Sequence, residues 1–119
     1  MISPFENPLF LIPISSGPLF MIAGLILFKF PPKKINSLYG YRTSSSMQNS
    51  ERWDFAQRYA AIEMMKQGGL LTISAVSGYL YYPTAKIAML LGLALMITIL
   101  IILTFRVEKA IKREFKSTK

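Results

Sequence analysis

Apolar residues in this chain run in blocks, not in the alternation of a strand or the narrow stripe of a surface helix. The first block extends from about Leu9 to Phe28, close to the ~20 residues that cross a hydrocarbon core. Pro13 and Pro18 interrupt it with Ser15, Ser16 and Gly17 between them, which predicts a kinked helix, and Pro31-Pro32 end it. The second block is cleanly apolar only from Leu70 to Tyr82, so crossing length requires extension back to about Ile62, which brings in Glu63 and Lys66. Those two are spaced to pair near an interface, with Lys66 snorkelling. The third block, Ile87 to Phe105, is 19 residues without a charge. Tyr79, Tyr81 and Tyr82, followed by Pro83-Thr84, predict a short aromatic-belted turn before it. The pattern predicts an all-α integral membrane protein of one domain, with three transmembrane helices at about 9–28, 62–82 and 87–105. A cytoplasmic interfacial segment, 31–61, joins the first two, and a basic tail, 106–119, follows the third.

Composition supports that class. Hydrophobic residues make up 52% of the 119 and charged ones 17%, too little polar surface for a water-soluble globule to cover its core. The net charge is +8, and 13 of the 14 basic residues fall in two groups, with only Lys86 elsewhere. One holds Lys29, Lys33, Lys34, Arg42, Arg52, Arg58 and Lys66; the other holds Arg106, Lys109, Lys112, Arg113, Lys116 and Lys119. Three crossings place both on one side, which the positive-inside rule makes the cytoplasm, with the N-terminus outside and the C-terminus inside. Two crossings would separate them. The tail reads as a helical extension with Val107, Ala110, Ile111 and Phe115 on a narrow apolar stripe and cations suited to anionic headgroups. So short a basic tail carries no nucleic-acid reading module. The first residues carry Glu6 and no Lys or Arg, so the first span is expected to be retained and not removed as a signal peptide.

The polar segment is richer than a flexible loop needs to be. It contains Tyr39, Tyr41, Trp53, Phe55 and Tyr59 among Arg42, Arg52 and Arg58. Ser50 followed by Glu51 predicts a helix start, with Trp53, Ala56 or Gln57 and Ala60 on one face and Asp54 spaced to pair with Arg58. Gly40 between two tyrosines marks a backbone position of unusual dihedrals or close approach. Arg42 beyond it is placed to cap helix carbonyls, to pair with Asp54 or Glu63, or to meet a lipid phosphate.

Asn36-x-x-x-Gly40-Tyr41-Arg42-Thr43-x-x-Ser46, followed by Trp53-x-x-Ala56-Gln57, resembles the signature of the SdpI family of bacterial integral membrane proteins. That family carries Asn-x-x-x-Gly-Tyr-Arg-Thr ahead of Trp-x-x-Ala-Asn, so Gln57 is a departure that keeps the amide on a longer arm. The resemblance implies an immunity protein that protects its producer from a secreted peptide toxin and holds a transcriptional regulator at the membrane. The named member resembles a longer, two-part protein, of which this chain carries the signature-bearing part. The residues it marks are Asn36, Gly40, Tyr41, Arg42, Thr43, Ser46, Trp53 and Ala56, with Gln57 at the altered position.

Three classes of function remain. The first is a non-enzymatic immunity or sensing protein, meeting a peptide toxin or docking a cytoplasmic regulator. The second is a small transporter or channel module using Glu63 and Lys66 as intramembrane polar groups. A membrane enzyme is disfavoured: the chain has no His and no Cys, and no paired-carboxylate, phosphate-loop or nucleophile-elbow motif. No cofactor or metal is expected. Self-association is expected to draw on Gly17, Gly24, Gly68, Gly69, Gly78 and Gly92 for close helix contact.

Overall fold

The computed structural model describes residues 3–116; Lys119, counted above with the basic tail, lies outside them. A single 3₁₀ turn at Pro4–Glu6 leads into four α-helices: α1 (Pro8–Lys29), α2 (Ser50–Ser74), α3 (Val76–Leu80) and α4 (Ala85–Glu114). Among the described residues there is no strand. The all-helical class follows the sequence, while several boundaries differ from it.

Helix α1 continues through Pro13 and Pro18, and Ser15 and Ser16 fold their hydroxyls back onto the Leu11 and Ile12 carbonyls, hiding those donors in an apolar setting. Its start is doubly held by Asn7. The Asn7 Oδ1 accepts the Leu9 N–H, and Nδ2 donates to the Gly78 and Tyr81 carbonyls at 2.7 and 2.9 Å, so one side chain caps α1 and fastens it to the end of α3.

The expected second crossing at 62–82 is not one separate helix. Its polar half belongs to α2, which begins twelve residues earlier, at Ser50. The cap is Asn49, whose Oδ1 accepts the Arg52 N–H at 2.8 Å, so Ser50 is the first helical residue instead of the cap. The helix then breaks at Ala75. Ser74 donates its hydroxyl to the Leu71 carbonyl at 2.6 Å, and the Ala75 N–H turns to Thr72 at 3.1 Å, tightening the last turn before α3 begins. The expected third crossing and the tail as far as Glu114 form one continuous helix, α4, of 30 residues.

Contacts fix the helix directions. A Cβ on Gly24 would meet the Ala61 carbonyl at 2.7 Å and one on Gly68 the Gly17 carbonyl at 2.7 Å, so α1 and α2 are antiparallel and almost touch backbone to backbone. A Cβ on Gly92 would meet the Pro8 carbonyl at 3.0 Å, and Arg106 bonds Glu63, so α4 runs with α1 and against α2. The result is an up-down-up bundle of 57 × 25 × 21 Å. The 30–49 connection and the end of α4 share one pole. The glycines considered for self-association serve packing inside the chain, with the exception of Gly69, which faces open space.

Two helices, α1 and α4, are long and apolar enough to cross a membrane. Only 22% and 17% of their most apolar windows are buried, unlike the core helices of a soluble protein. Leu19, Ile22, Phe28, Ile101 and Phe105 are among the large apolar side chains they expose. The packed core lies toward the loop pole, where Leu27, Ala56, Ala60, Ala61, Leu103, Val107 and Ile111 meet.

The contrast between adjacent glycines is testable. Gly68→Ala, which places a methyl against the backbone of α1, is expected to cost about 1–3 kcal/mol. Gly69→Ala, with open space around it, should be neutral or slightly stabilising. Unfolding of the detergent-solubilised protein followed by circular dichroism compares the two.

Candidate functional site

The segment from Phe30 to Asn49 has little regular structure and is nevertheless tied to α1, α2 and α4. Asn36 builds its first turn: Oδ1 accepts the N–H groups of Leu38 and Tyr39, while Nδ2 donates to the Lys34 carbonyl. Tyr39 then sends its hydroxyl to the Phe30 carbonyl at 2.7 Å, satisfying the end of α1. Arg42 donates to the Ser37 carbonyl within the loop, a partner outside the roles expected of it, and pairs with neither Asp54 nor Glu63.

Two residues of α2 clamp this segment. Trp53, fully buried, donates Nε1–H to the Pro32 carbonyl at 2.8 Å. Gln57 uses both ends of its amide on Tyr41, accepting its N–H and donating to its carbonyl, each at 2.7 Å, much as a neighbouring strand would. That close docking explains Gly40. Its φ of 109° is a left-handed conformation, and a Cβ there would lie 2.5 Å from the Gln57 Oε1. Ala56, fully buried beside them, is small enough to let the core close under the loop.

Beyond Gly40 the chain turns on Ser46, whose buried hydroxyl accepts the Thr43 N–H at 2.9 Å and reaches the Tyr41 carbonyl at 3.2 Å. This turn presents three hydroxyls to Glu108 of α4. Tyr41 and Thr43 donate to Oε2 at 2.6 and 2.8 Å, and Ser45 donates to Oε1 at 2.5 Å. Burial acts to raise the Glu108 carboxyl, but the hydroxyls of Ser45, Tyr41 and Thr43, together with Lys112, outweigh it and hold it below its ordinary value. Burial and the same carboxylate push the Tyr41 phenol well above the tyrosine range, keeping it a donor. The arrangement therefore acts as a latch: the proton donors are spent on one carboxylate, which is held charged.

The structure thus gathers Asn36, Gly40, Tyr41, Arg42, Thr43, Ser46, Trp53, Ala56 and Gln57 at one pole. Glu63 and Lys66 lie apart from them on α2 and do not pair with each other. Glu63, 1% exposed, accepts from Arg106 at 2.9 Å and from Gln67 at 3.3 Å, because its side of α2 faces α4 while Lys66 points outward. Asp54 and Arg58 likewise form no ion pair despite their helical spacing; among the described residues the ion pair is Glu63–Arg106. Glu108, Arg106 and Gln67 were not singled out from the sequence. The usable signal for Glu108 was its place beside Val107 and one turn from Ile111, on the edge of the apolar stripe, where a carboxylate in a basic run must find donors. That stripe packs on α2: Val107, Ala110 and Ile111 are buried, while Lys109, Lys112 and Arg113 point outward.

Glu108→Ala is expected to cost about 2–3 kcal/mol, as three hydroxyls lose a charged acceptor. Since the carboxyl is held below its ordinary value of 4.5, its contribution is complete above that value and is lost as pH falls through the lower folded value. Protection of the amides of residues 41–46, measured as exchange relative to the intrinsic rate at each pH, should therefore fall below the ordinary carboxylate range in the wild type. In Glu108→Gln the protection should already be lower at neutral pH and lack that dependence.

Comparison with known proteins addresses this same stretch. A family model described as the SdpI/YfhL protein family matches residues 33–105, from the loop through α2 and α3 into α4. The uncharacterised protein YfhL of Bacillus subtilis (strain 168) is 50% identical over 52 residues, covering 44% of this chain and 47% of that protein. The aligned part thus spans about half the length of that relative. No solved structure matches. With well over half of its residues inside the family match, the loop and its clamping helix included, the chain belongs to the SdpI/YfhL family.

Proposed function

We propose that this chain is a multi-pass protein of the bacterial cytoplasmic membrane that acts, without catalysis, in immunity to or sensing of a membrane-active peptide. One observation carries the reading. The family signature, spread over residues 36–57, is drawn into a single ordered cap at the pole where the cations also gather, and its polar groups are spent on holding that cap together. A rigid, cationic, aromatic-rich surface at the end of an apolar bundle suits recognition better than turnover. Arg42 lies exposed on it with its guanidinium steadied by the Ser37 carbonyl, as a preset contact for a peptide or a cytoplasmic regulator would be.

In this reading the chain crosses three times, with α2 and α3 together making the middle passage. The up-down-up arrangement supports it, since the loop and the α4 end lie at the same pole and one cytoplasmic side accommodates both cationic groups. The N-terminus is then outside, the C-terminus inside, and the outward cations of α4 meet anionic headgroups. A transport role draws support from one feature, the burial of Glu63 between α2 and α4. Its engagement by Arg106 and Gln67 favours a helix fastener instead.

Arg42→Ala, an exposed change, is expected to abolish protection of sensitive cells against the cognate membrane-active peptide at unchanged expression; full protection in the variant would remove Arg42 from the working surface. Single cysteines at Ser44 and Lys116 should both be shielded from an impermeant thiol reagent in intact cells and labelled after lysis, whereas labelling of only one in intact cells would exclude three crossings. Glu63→Gln should leave ion permeability of proteoliposomes unchanged, and an ion flux present in the wild type and lost in this variant would select transport.

A further inference from the structure

Beside the cap, where the apolar part of α1 ends, lies a pocket of about 440 Å³. Leu27 and Phe28 contribute its apolar wall, and Lys33, Asp54 and Arg58 line its polar part. The three charged side chains are exposed, and none bonds to another described residue, even though Asp54 and Arg58 stand one helical turn apart. The backbone around them is anchored: Pro32, next to Lys33, receives the Trp53 indole, and Gln57, between Asp54 and Arg58, holds Tyr41. Two cations and one carboxylate are therefore held around a small opening, above an apolar wall, without neutralising one another.

We propose that this pocket receives the head of a phospholipid bearing both a phosphate and a primary amine, an ethanolamine phospholipid. Lys33 and Arg58 meet the phosphate oxygens, Asp54 accepts from the ammonium, and the glycerol and first methylenes descend along Leu27 and Phe28. A purely anionic head would satisfy the two cations and leave Asp54 facing like charge; a free amine would meet the reverse. The charge pattern fits a head carrying both signs. A pocket of this size lies within the range that holds small ligands. The inference rests on the membrane placement proposed above, which supplies the lipid at this depth.

The test is native mass spectrometry of the full chain released from detergent with equal amounts of phosphatidylethanolamine and phosphatidylglycerol, with glycerophosphoethanolamine as the soluble arm. The wild type is expected to retain one phosphatidylethanolamine in preference to phosphatidylglycerol. Asp54→Asn should reduce that preference roughly three- to fivefold, the scale of one exposed charge pair, and Asp54→Glu should restore it. The Lys33→Gln/Arg58→Gln double variant should lose retention of both lipids. Equal retention of the two lipids by the wild type, or a preference unchanged in Asp54→Asn, would overturn the pocket's role, and retention of glycerophosphoethanolamine as tight as the lipid's would overturn the bilayer as the source. Flotation with vesicles reads the membrane placement separately: a chain that floats but shows no preference loses only the lipid site, and one that does not float loses the placement on which the site depends.

Discussion

The close approach of α1 and α2 is the constraint on which the polar pole depends. Gly17 lies against Gly68 and Thr72, and Gly24 against Ala61 and Met64, so the two backbones meet over two turns with almost no side chain between them. At that spacing Leu27 reaches the Ala56, Ala60 and Ala61 face of α2, and Trp53 comes within reach of the Pro32 carbonyl just past the end of α1. A wider separation would leave the indole N–H buried without an acceptor and withdraw the Gln57 amide from the Tyr41 backbone, a loss of the kind that costs most in a dry setting. Packing by small residues is also what an apolar environment permits, because lipid gives two helices little hydrophobic reason to associate.

Helix α4 closes the pole by a different means. It is fastened by polar contacts, Glu108 to the loop hydroxyls and Arg106 to Glu63, on either side of the buried Val107. The middle of α4, from Leu93 to Ile102, has no buried residue. The bundle is thus tight where α1 meets α2 and at the loop pole, and open along the middle of α4. Such a division concentrates order at the end that carries the family signature.

Much of this was legible in the chain itself. Uncharged runs announced α1 and α4, a lone glycine between tyrosines marked a backbone of unusual dihedrals or close approach, and Trp53 with Ala56 or Gln57 and Ala60 marked one face of a helix. Other parts were not. Serine hydroxyls competing for backbone carbonyls shaped the break at Ala75, a choice that helical periodicity does not record. Glu63 and Lys66 satisfy a pairing rule on paper, yet they point to different surroundings, and the rule does not know where α4 lies.

What the sequence by itself determined is the helical class, two apolar helices of crossing length and the gathering of cations into two groups, because each depends on neighbours within a few residues; it marked Gly40 as special, but the docking of Gln57 gives the reason. The tertiary structure alone decided the partners: Gln57 with Tyr41, Trp53 with Pro32, Glu63 with Arg106, and Glu108 with hydroxyls more than 60 residues away. Those choices follow from which helix faces the glycine contacts bring together. A carboxylate's partner is whatever donor the packed backbone delivers to it, and separation along the chain carries no record of that distance.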